Sequence, residues 1–174
     1  LEVSYRSLQY DYREAQGMPQ YPDANSTMRL TFGRVVGLDP ADGVRCGWRS
    51  TPCGYAEKHD PDNYDFRVDD RMRGLIAKRD WGCWCHRGDM TVNFLTDNDI
   101  TGGNSGSPVL NGRGELIGLA FDGNRESMAG DLWFHPRAAR TVSVDIRFVM
   151  WVIEKYAGAG ELLQESRFAE KGGR

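Results

Sequence analysis

The spacing of apolar and polar positions changes character several times along the chain. Over residues 3–16, Val3, Leu8, Tyr12 and Ala15 share one helical face, and the following GMPQYP stops the helix. STMRLTFGRVVGLDP then alternates Met28, Leu30 and Phe32 with polar neighbours, the pattern of a half-buried strand closed by a Gly/Pro turn. From 43 to 90 the rhythm weakens into short strands, the loop KHDPDNYDF and a short helix at about 69–78. MTVNFLT at 90–96 is strand-like, and SPVLN and ELIGLAFDG form a hairpin joined by NGRG, an Asn-Gly signal. The last element differs in kind. SVDIRFVMWVIEKYAGAGELLQE places Val144, Phe148, Val149, Val152 and Ile153 at helical period, with Ser143 or Asp145 as its start and a break at Gly158 and Gly160. Such an amphipathic helix packs on the body of the domain or offers a face to a partner.

Length and charge narrow the classes. A chain of 174 residues suits one domain with a single core. Its net charge of −3 gives no broad basic field, so nucleic acid is not an expected partner. The best apolar run, FVMWVI, falls far short of the ~20 residues a membrane-spanning helix needs, so no membrane span is expected. The first residues, LEVSYRSLQYDYRE, carry neither an initiator Met nor a signal-peptide pattern, and the chain reads as a piece of something longer. Cys46, Cys53, Cys83 and Cys85, with His86 beside the last, fit disulfides between the two segments and free thiols equally well. A metal half-site fits less well, because zinc ligands are usually spaced Cys-x₂₋₄-Cys in both halves. No metal site is assigned.

The densest chemical signal is TGGNSGSPVLNGRGELIGLAFDGN, residues 101–124, which sets one serine between glycines on a tight turn. A serine hydroxyl is a weak nucleophile, and its attack on an amide leaves negative charge on the former carbonyl oxygen. The site therefore needs backbone N–H donors aimed at that oxygen and close to the attacking Oγ. Glycines flanking Ser105 permit the tight conformation that turns such N–H groups inward. The N–H groups of Gly103 and Ser105 are the candidate oxyanion hole, and Pro108 opens the outgoing strand where its missing N–H is tolerated. Gly-x-Ser-x-Gly alone is a weak signal; GGNSGSPV followed by a hairpin is much stronger.

This turn, the hairpin and the C-terminal helix resemble the second barrel of chymotrypsin-type serine proteases. More narrowly, YPDANSTMRLTFG, VNFLTDNDITGGNSGSPVLNGRGELIGLAFDGN and VDIRFVMWVIEKYAGA resemble the bacterial dipeptidyl-peptidase 7 and 11 family, in the same order and with gaps from about Tyr21 to Glu165. The resemblance implies a mostly β fold with a C-terminal helix, the second β-barrel of a chymotrypsin-like double-barrel peptidase. It implies a parent that is a much longer serine exopeptidase, with a helical domain capping the active site, cutting dipeptides from free N-termini. Residues 1–20 become the tail of a helix of the helical domain, 21–140 the C-terminal barrel and 141–174 a C-terminal helical segment.

Residue by residue, the resemblance makes Ser105 the nucleophile and places its His and Asp partners far upstream, outside the chain. His59, His86 and His135 stand in other contexts and read as surface or loop histidines, so the chain alone is expected to be inert. Asp122 falls where the family holds the substrate's free α-amino group, a role for which a carboxylate is the natural charge complement. Gly123 looks like a determinant of the pocket for the penultimate side chain, where the acid-specific branch carries Arg. Glycine there implies a preference for apolar or aromatic penultimate residues. Ile100 lines the same pocket or belongs to the core. Asn104 carries no charge for pairing with a new N-terminus, so no zymogen-style activation is expected. The resemblance requires no metal or organic cofactor, and implies peptide substrates with free N-termini, a homodimer, and a periplasmic, cell-surface or secreted location. The cysteine-bearing segments VRCGWRSTPCGYAEK and RDWGCWCHRG depart from the family pattern. Two other readings stay open: a trypsin-like endopeptidase of the glutamyl endopeptidase sort, which shares GNSGSPV, and a non-catalytic peptide-binding domain of protease fold.

Overall fold

A computed structural model describes residues 2–18, 26–86, 88–128, 130 and 134–168. The principal sheet has four antiparallel strands: β3 (Asn93–Thr96), β4 (Pro108–Leu110), β5 (Leu116–Gly123) and β6 (Thr141–Asp145), in the spatial order β3-β6-β5-β4, with β1 (Leu38–Ala41) and β2 (Val44–Cys46) forming a separate two-stranded ribbon. Isolated bridges from Val35 to Thr96 and from Arg49 to Phe94 extend the β3 edge. The expected β-sheet body followed by a C-terminal helix is present. The four strands form an open sheet as far as the described residues go.

The hairpin is set by local chemistry. Asn111 Oδ1 accepts from the N–H groups of Arg113 at 2.9 Å and Glu115 at 3.1 Å, an Asx arrangement that closes the turn. The Glu115 carboxylate accepts in turn from Asn111 Nδ2 at 2.5 Å and from Arg113 at 3.0 and 2.7 Å. Deeper in β5, Gly118 is a packing requirement: a β-carbon there would lie 2.5 Å from the Val144 carbonyl and 2.7 Å from the Phe94 ring. Glycine lets β5 lie close under β6 and the Phe94 side chain.

The three helices after the first, α2 (Pro52–Glu57), α3 (Asp70–Lys78) and α4 (Ile146–Trp151), follow α1 (Glu2–Ala15) in chain order. α3 starts where Asp69 caps it, Oδ1 accepting from Met72 N–H at 2.9 Å, and ends on Arg79 in the left-handed region. Met72 and Ile76, four residues apart on one face, enter the core with Val68, Trp81, Trp84, Met90 and Trp151. Trp151 is fully buried, lies edge-on to Trp81 with ring centroids 5.4 Å apart, and donates its indole N–H to the Asp80 carbonyl at 3.0 Å. Two further bonds tie the C-terminal segment down: Trp84 Nε1 donates to Glu154 at 2.5 Å and Tyr156 donates to Asp69 Oδ2 at 2.8 Å.

Several expectations are corrected. Residues 28–34 form no regular strand, and Met28, Leu30 and Phe32 are 97%, 88% and 88% exposed, so the alternation is real but the described residues leave its apolar side almost uncovered, Leu30 alone bordering a cavity of about 380 Å³ with Ile100 and Asn104. Among the described residues between 43 and 90, β2 is the one strand, beside α2, α3, two 3-10 turns, isolated bridges at Arg49 and His86, and irregular chain. α1 forms as the spacing predicts, but Val3, Leu8 and Tyr12 lie on its exposed side. Asp145, not Ser143, starts the C-terminal helix: its Oδ1 accepts from Arg147 N–H at 2.9 Å, while Ser143 is buried inside β6. Val144 is likewise a strand residue, and the helix closes with a π turn over Val152–Tyr156 before Gly158 takes a positive φ of 69°. All four cysteines are free thiols, one of the two readings that their spacing left open. The YPDAN part of the first family-like segment lies outside the described residues.

Two measurements check this packing. Trp151→Ala empties the largest fully buried site and should lower unfolding free energy by about 3–5 kcal/mol in urea denaturation, while Trp151→Phe loses less. In the hairpin turn, the Arg113 side chain and then Asn111 hold the Glu115 carboxyl down at about 2, below its ordinary 4.5. A folded-state value depressed in this way stabilises above the ordinary value and is lost as pH falls from about 4.5 to about 2. Glu115→Gln should therefore be less stable than wild type at neutral pH, with the difference closing across that window.

Candidate active site

The chain enters the site from β3 through residues 97–101 and turns at Gly103 and Gly106, whose φ values of 98° and 85° lie in the left-handed region that favours glycine. Asn104 clasps this turn. Its Oδ1 accepts from Thr101 N–H at 2.9 Å, and its carbonyl accepts from Ser107 N–H at 2.9 Å. Beyond the turn the loop is tied to β5 by a reciprocal pair: Gly106 N–H donates to the Ala120 carbonyl at 2.7 Å, and Ala120 N–H donates to the Ser107 carbonyl at 2.9 Å. That pairing fixes Ser105 beside the next residue of β5, and its hydroxyl donates to the Phe121 carbonyl at 3.3 Å. Among the described residues, neither the Gly103 nor the Ser105 N–H is taken up by a hydrogen-bond partner.

β5 changes register against β6 at this point. Ala120 pairs with Ser143, but Asp122 pairs with Val142, so β5 holds one extra residue, Phe121. Strict alternation would send Asp122 to the same buried side as Ala120; the bulge leaves both Phe121 and Asp122 exposed. Asp122 is thereby turned onto the serine's side, and its Oδ1 accepts from Gly123 N–H at 2.8 Å, which orients the carboxylate.

Ile100, Ser105, Asp122 and Gly123 line one cleft of about 230 Å³. Gly103, whose N–H was assigned to oxyanion binding, sits on the same loop between the lining residues Gly102 and Asn104. Ile100 is half-buried and also lines a second, smaller space of about 20 Å³, so it acts as wall more than as core. The cleft has walls that the sequence pattern did not single out: Phe121, Asn124, Ser127 and Met128. Of these, Phe121 had a signal as part of the FDGN motif, and so did Asn124. It is braced by its own hydrogen bonds, Nδ2 donating to the Ala138 carbonyl at 2.7 Å and Oδ1 accepting from Arg140 N–H at 2.7 Å.

Asp122 is the sole ionisable side chain among the described residues lining the cleft, and no histidine is among them. His59 serves a loop instead, its Nδ1 accepting from Val68 N–H at 3.0 Å, and His86 forms an isolated backbone bridge with Asp89. No group of three or more His, Cys, Asp or Glu able to hold a metal occurs among the described residues, and no helix there is long and apolar enough to cross a membrane.

Comparison with known proteins gives this geometry its context. Residues 2–168 match the Peptidase S46 family. The chain is 48% identical over 153 residues to dipeptidyl-peptidase 7 of Phocaeicola vulgatus, covering 87% of this chain and 21% of that protein. It is 41% identical over 167 residues to an Asp/Glu-specific dipeptidyl-peptidase of Porphyromonas endodontalis, covering 95% of this chain and 23% of the relative. The crystal structure of Porphyromonas endodontalis DPP11 with the dipeptide Arg-Glu superposes with a TM-score of 0.83 at 40% identity, over 91% of this chain and 23% of the other. The chain thus spans about a fifth of the length of these relatives. The long coverage, the high identity and the shared fold agree: the chain belongs to the Peptidase S46 family.

Proposed function

We propose that the chain is the nucleophile-bearing part of a serine dipeptidyl aminopeptidase. The observation that carries this reading is the single cleft in which Ser105 and Asp122 meet, beside two backbone N–H groups with no other partner among the described residues. In this reading Ser105 Oγ attacks the carbonyl of the substrate's second residue. Its proton passes to an upstream histidine and then to the departing amine as the peptide C–N bond breaks. The N–H groups of Gly103 and Ser105 donate to the oxygen that becomes negative. Water then attacks the acyl-enzyme, the same histidine taking its proton and returning it to Ser105 Oγ as the dipeptide leaves. Asp122 accepts hydrogen bonds from the substrate's free ammonium, and its fixed place relative to Ser105 sets the two-residue register.

The histidine and aspartate come from the remainder of a longer polypeptide, so the chain by itself is inert. Residues 21–140 are its second, chymotrypsin-like barrel and residues 1–20 the tail of a capping helix. With β6 the inner strand between β3 and β5, the C-terminal helical segment is better begun at Ile146 than at 141. The exposed apolar rows of α1 and of Met28, Leu30 and Phe32 fit surfaces that the rest of the parent covers. We extend the reading to a homodimer acting in the periplasm or at the cell surface.

An apolar or aromatic penultimate residue is preferred. Gly123 brings no charge, and the described lining holds no Lys or Arg to receive a substrate carboxylate, only the like charge of Asp122. A carboxylate entering this cleft would lose hydration without gaining an ion partner. Nothing in the geometry favours the endopeptidase or the purely binding alternative, and the assays below separate all three.

The full-length parent, offered matched peptides with free and N-acetylated ends, should release dipeptides from the free form alone; equal cleavage of both removes the exopeptidase reading, and none at all favours a binding role. Ser105→Ala should lower kcat by about 10⁴-fold or more. Asp122→Asn should cut kcat/KM by roughly 10- to 100-fold, the worth of a charge-assisted hydrogen bond. On substrates differing only in the penultimate residue, Leu and Phe should outperform Asp and Glu; the opposite order would overturn the specificity assignment.

A further inference from the structure

Gly123 ends β5, and the space over its α-carbon is filled. A β-carbon at this position would lie 2.2 Å from Ser127 Oγ and 3.4 Å from Ser127 Cβ. The φ of Gly123 is outside the left-handed region, so the backbone there admits any residue. A side chain added here would have to displace the Ser127 hydroxyl, while the backbone itself would not resist it.

Ser127 is firmly seated. It closes the single 3-10 turn Arg125–Ser127, its hydroxyl donates to the Asn124 carbonyl at 2.7 Å, and its own carbonyl accepts from Gly130 N–H at 2.7 Å. Asn124, at the base of that turn, is braced against the 138–140 segment from both its side chain and its backbone, Asn124 N–H donating to the Arg140 carbonyl at 2.9 Å. Ser127 also has a space on each side of it. Together with Ile100 and Gly130 it borders both the cleft of about 230 Å³ and a smaller, partly open space of about 20 Å³ that Phe134, Ala139 and Thr141 also line. A space of that size holds about one water.

We propose that Ser127 is a specificity-determining residue: seated against Gly123, it is the partition that closes the inner end of the cleft, so the Gly123–Ser127 pair sets which penultimate side chain fits. The proposal rests on the peptidase reading above. Removing the Ser127 side chain joins the two spaces and admits a longer side chain. Adding a side chain at residue 123 drives the Ser127 hydroxyl off the Asn124 carbonyl and into the space a substrate uses. The two substitutions are therefore coupled: a methyl group at residue 123 is costly with Ser127 present and tolerated once residue 127 is glycine.

The test uses the full-length parent as wild type, Gly123→Ala, Ser127→Gly and the double variant, with free dipeptidyl substrates carrying Ala, Leu, Phe or Trp at the penultimate position. Ser127→Gly should raise the Trp-to-Leu ratio of kcat/KM at least fivefold. Gly123→Ala should lower kcat/KM for Phe tenfold or more, and the double variant should recover to within about threefold of wild type. Thermal unfolding gives a readout independent of turnover: Gly123→Ala should lower Tm, and Ser127→Gly in the same chain should restore much of the loss. A Trp-to-Leu ratio unchanged within twofold, or effects of the two substitutions that simply multiply in rate and add in Tm, would overturn the proposal. A parent that releases no dipeptide from any free N-terminus sinks the peptidase reading beneath it; a parent that does so with an indifferent Ser127→Gly sinks this proposal alone.

Discussion

Ala120 is held by the serine loop through both of its backbone polar groups, its carbonyl taking Gly106 N–H and its N–H reaching the Ser107 carbonyl. The rest of the site depends on that clasp. It pins a loop with two left-handed glycines to the middle of a sheet. It also fixes the loop one residue before β5 takes up its extra residue, Phe121. Ser105 and Asp122 are 17 positions apart in sequence. They meet because the clasp and the bulge are adjacent on the same strand.

The sheet is in turn supported from behind and at its end. Gly118 lets β5 pass close beneath β6 and Phe94. Asp145 ends β6, starts α4 and accepts from the Arg147 side chain at 2.9 and 2.5 Å. α4 delivers Trp151 into the core of α3 and the 81–90 segment. The tryptophan cluster thus acts at a distance, by holding the strand against which the bulge is defined. Two of its indole N–H groups have partners, the Asp80 carbonyl and the Glu154 carboxylate, so burying those rings strands no donor there.

What could be read from sequence alone was local. The Asn-Gly hairpin, α3 and the glycine-flanked serine each depend on neighbours within a few positions, and each is where the pattern places it; for α4 the pattern offered Ser143 or Asp145, and Asp145 starts it. Asp122's orientation was not legible in that way, because the bulge is defined against residues 141–143, well away in sequence; the family resemblance supplied that residue instead. Ser127 had neither signal, being a small polar residue in a turn with no periodicity. Residues 28–34 misled for the opposite reason: their alternation is genuine, but the described residues leave its apolar side almost wholly exposed. The cysteine-rich segment was read for its thiols, while its contribution to the fold is Trp81 and Trp84.

The central claim is that one cleft presents a serine nucleophile and, at fixed distance, a carboxylate that grips a free amino end. It is tested most directly by labelling the full-length protein with a dipeptidyl phosphonate and mapping the adduct by mass spectrometry. The account predicts covalent modification at Ser105, at least tenfold faster for the probe with a free amino terminus than for its N-acetylated form. An adduct on another residue, or equal labelling rates for the two probes, would contradict it.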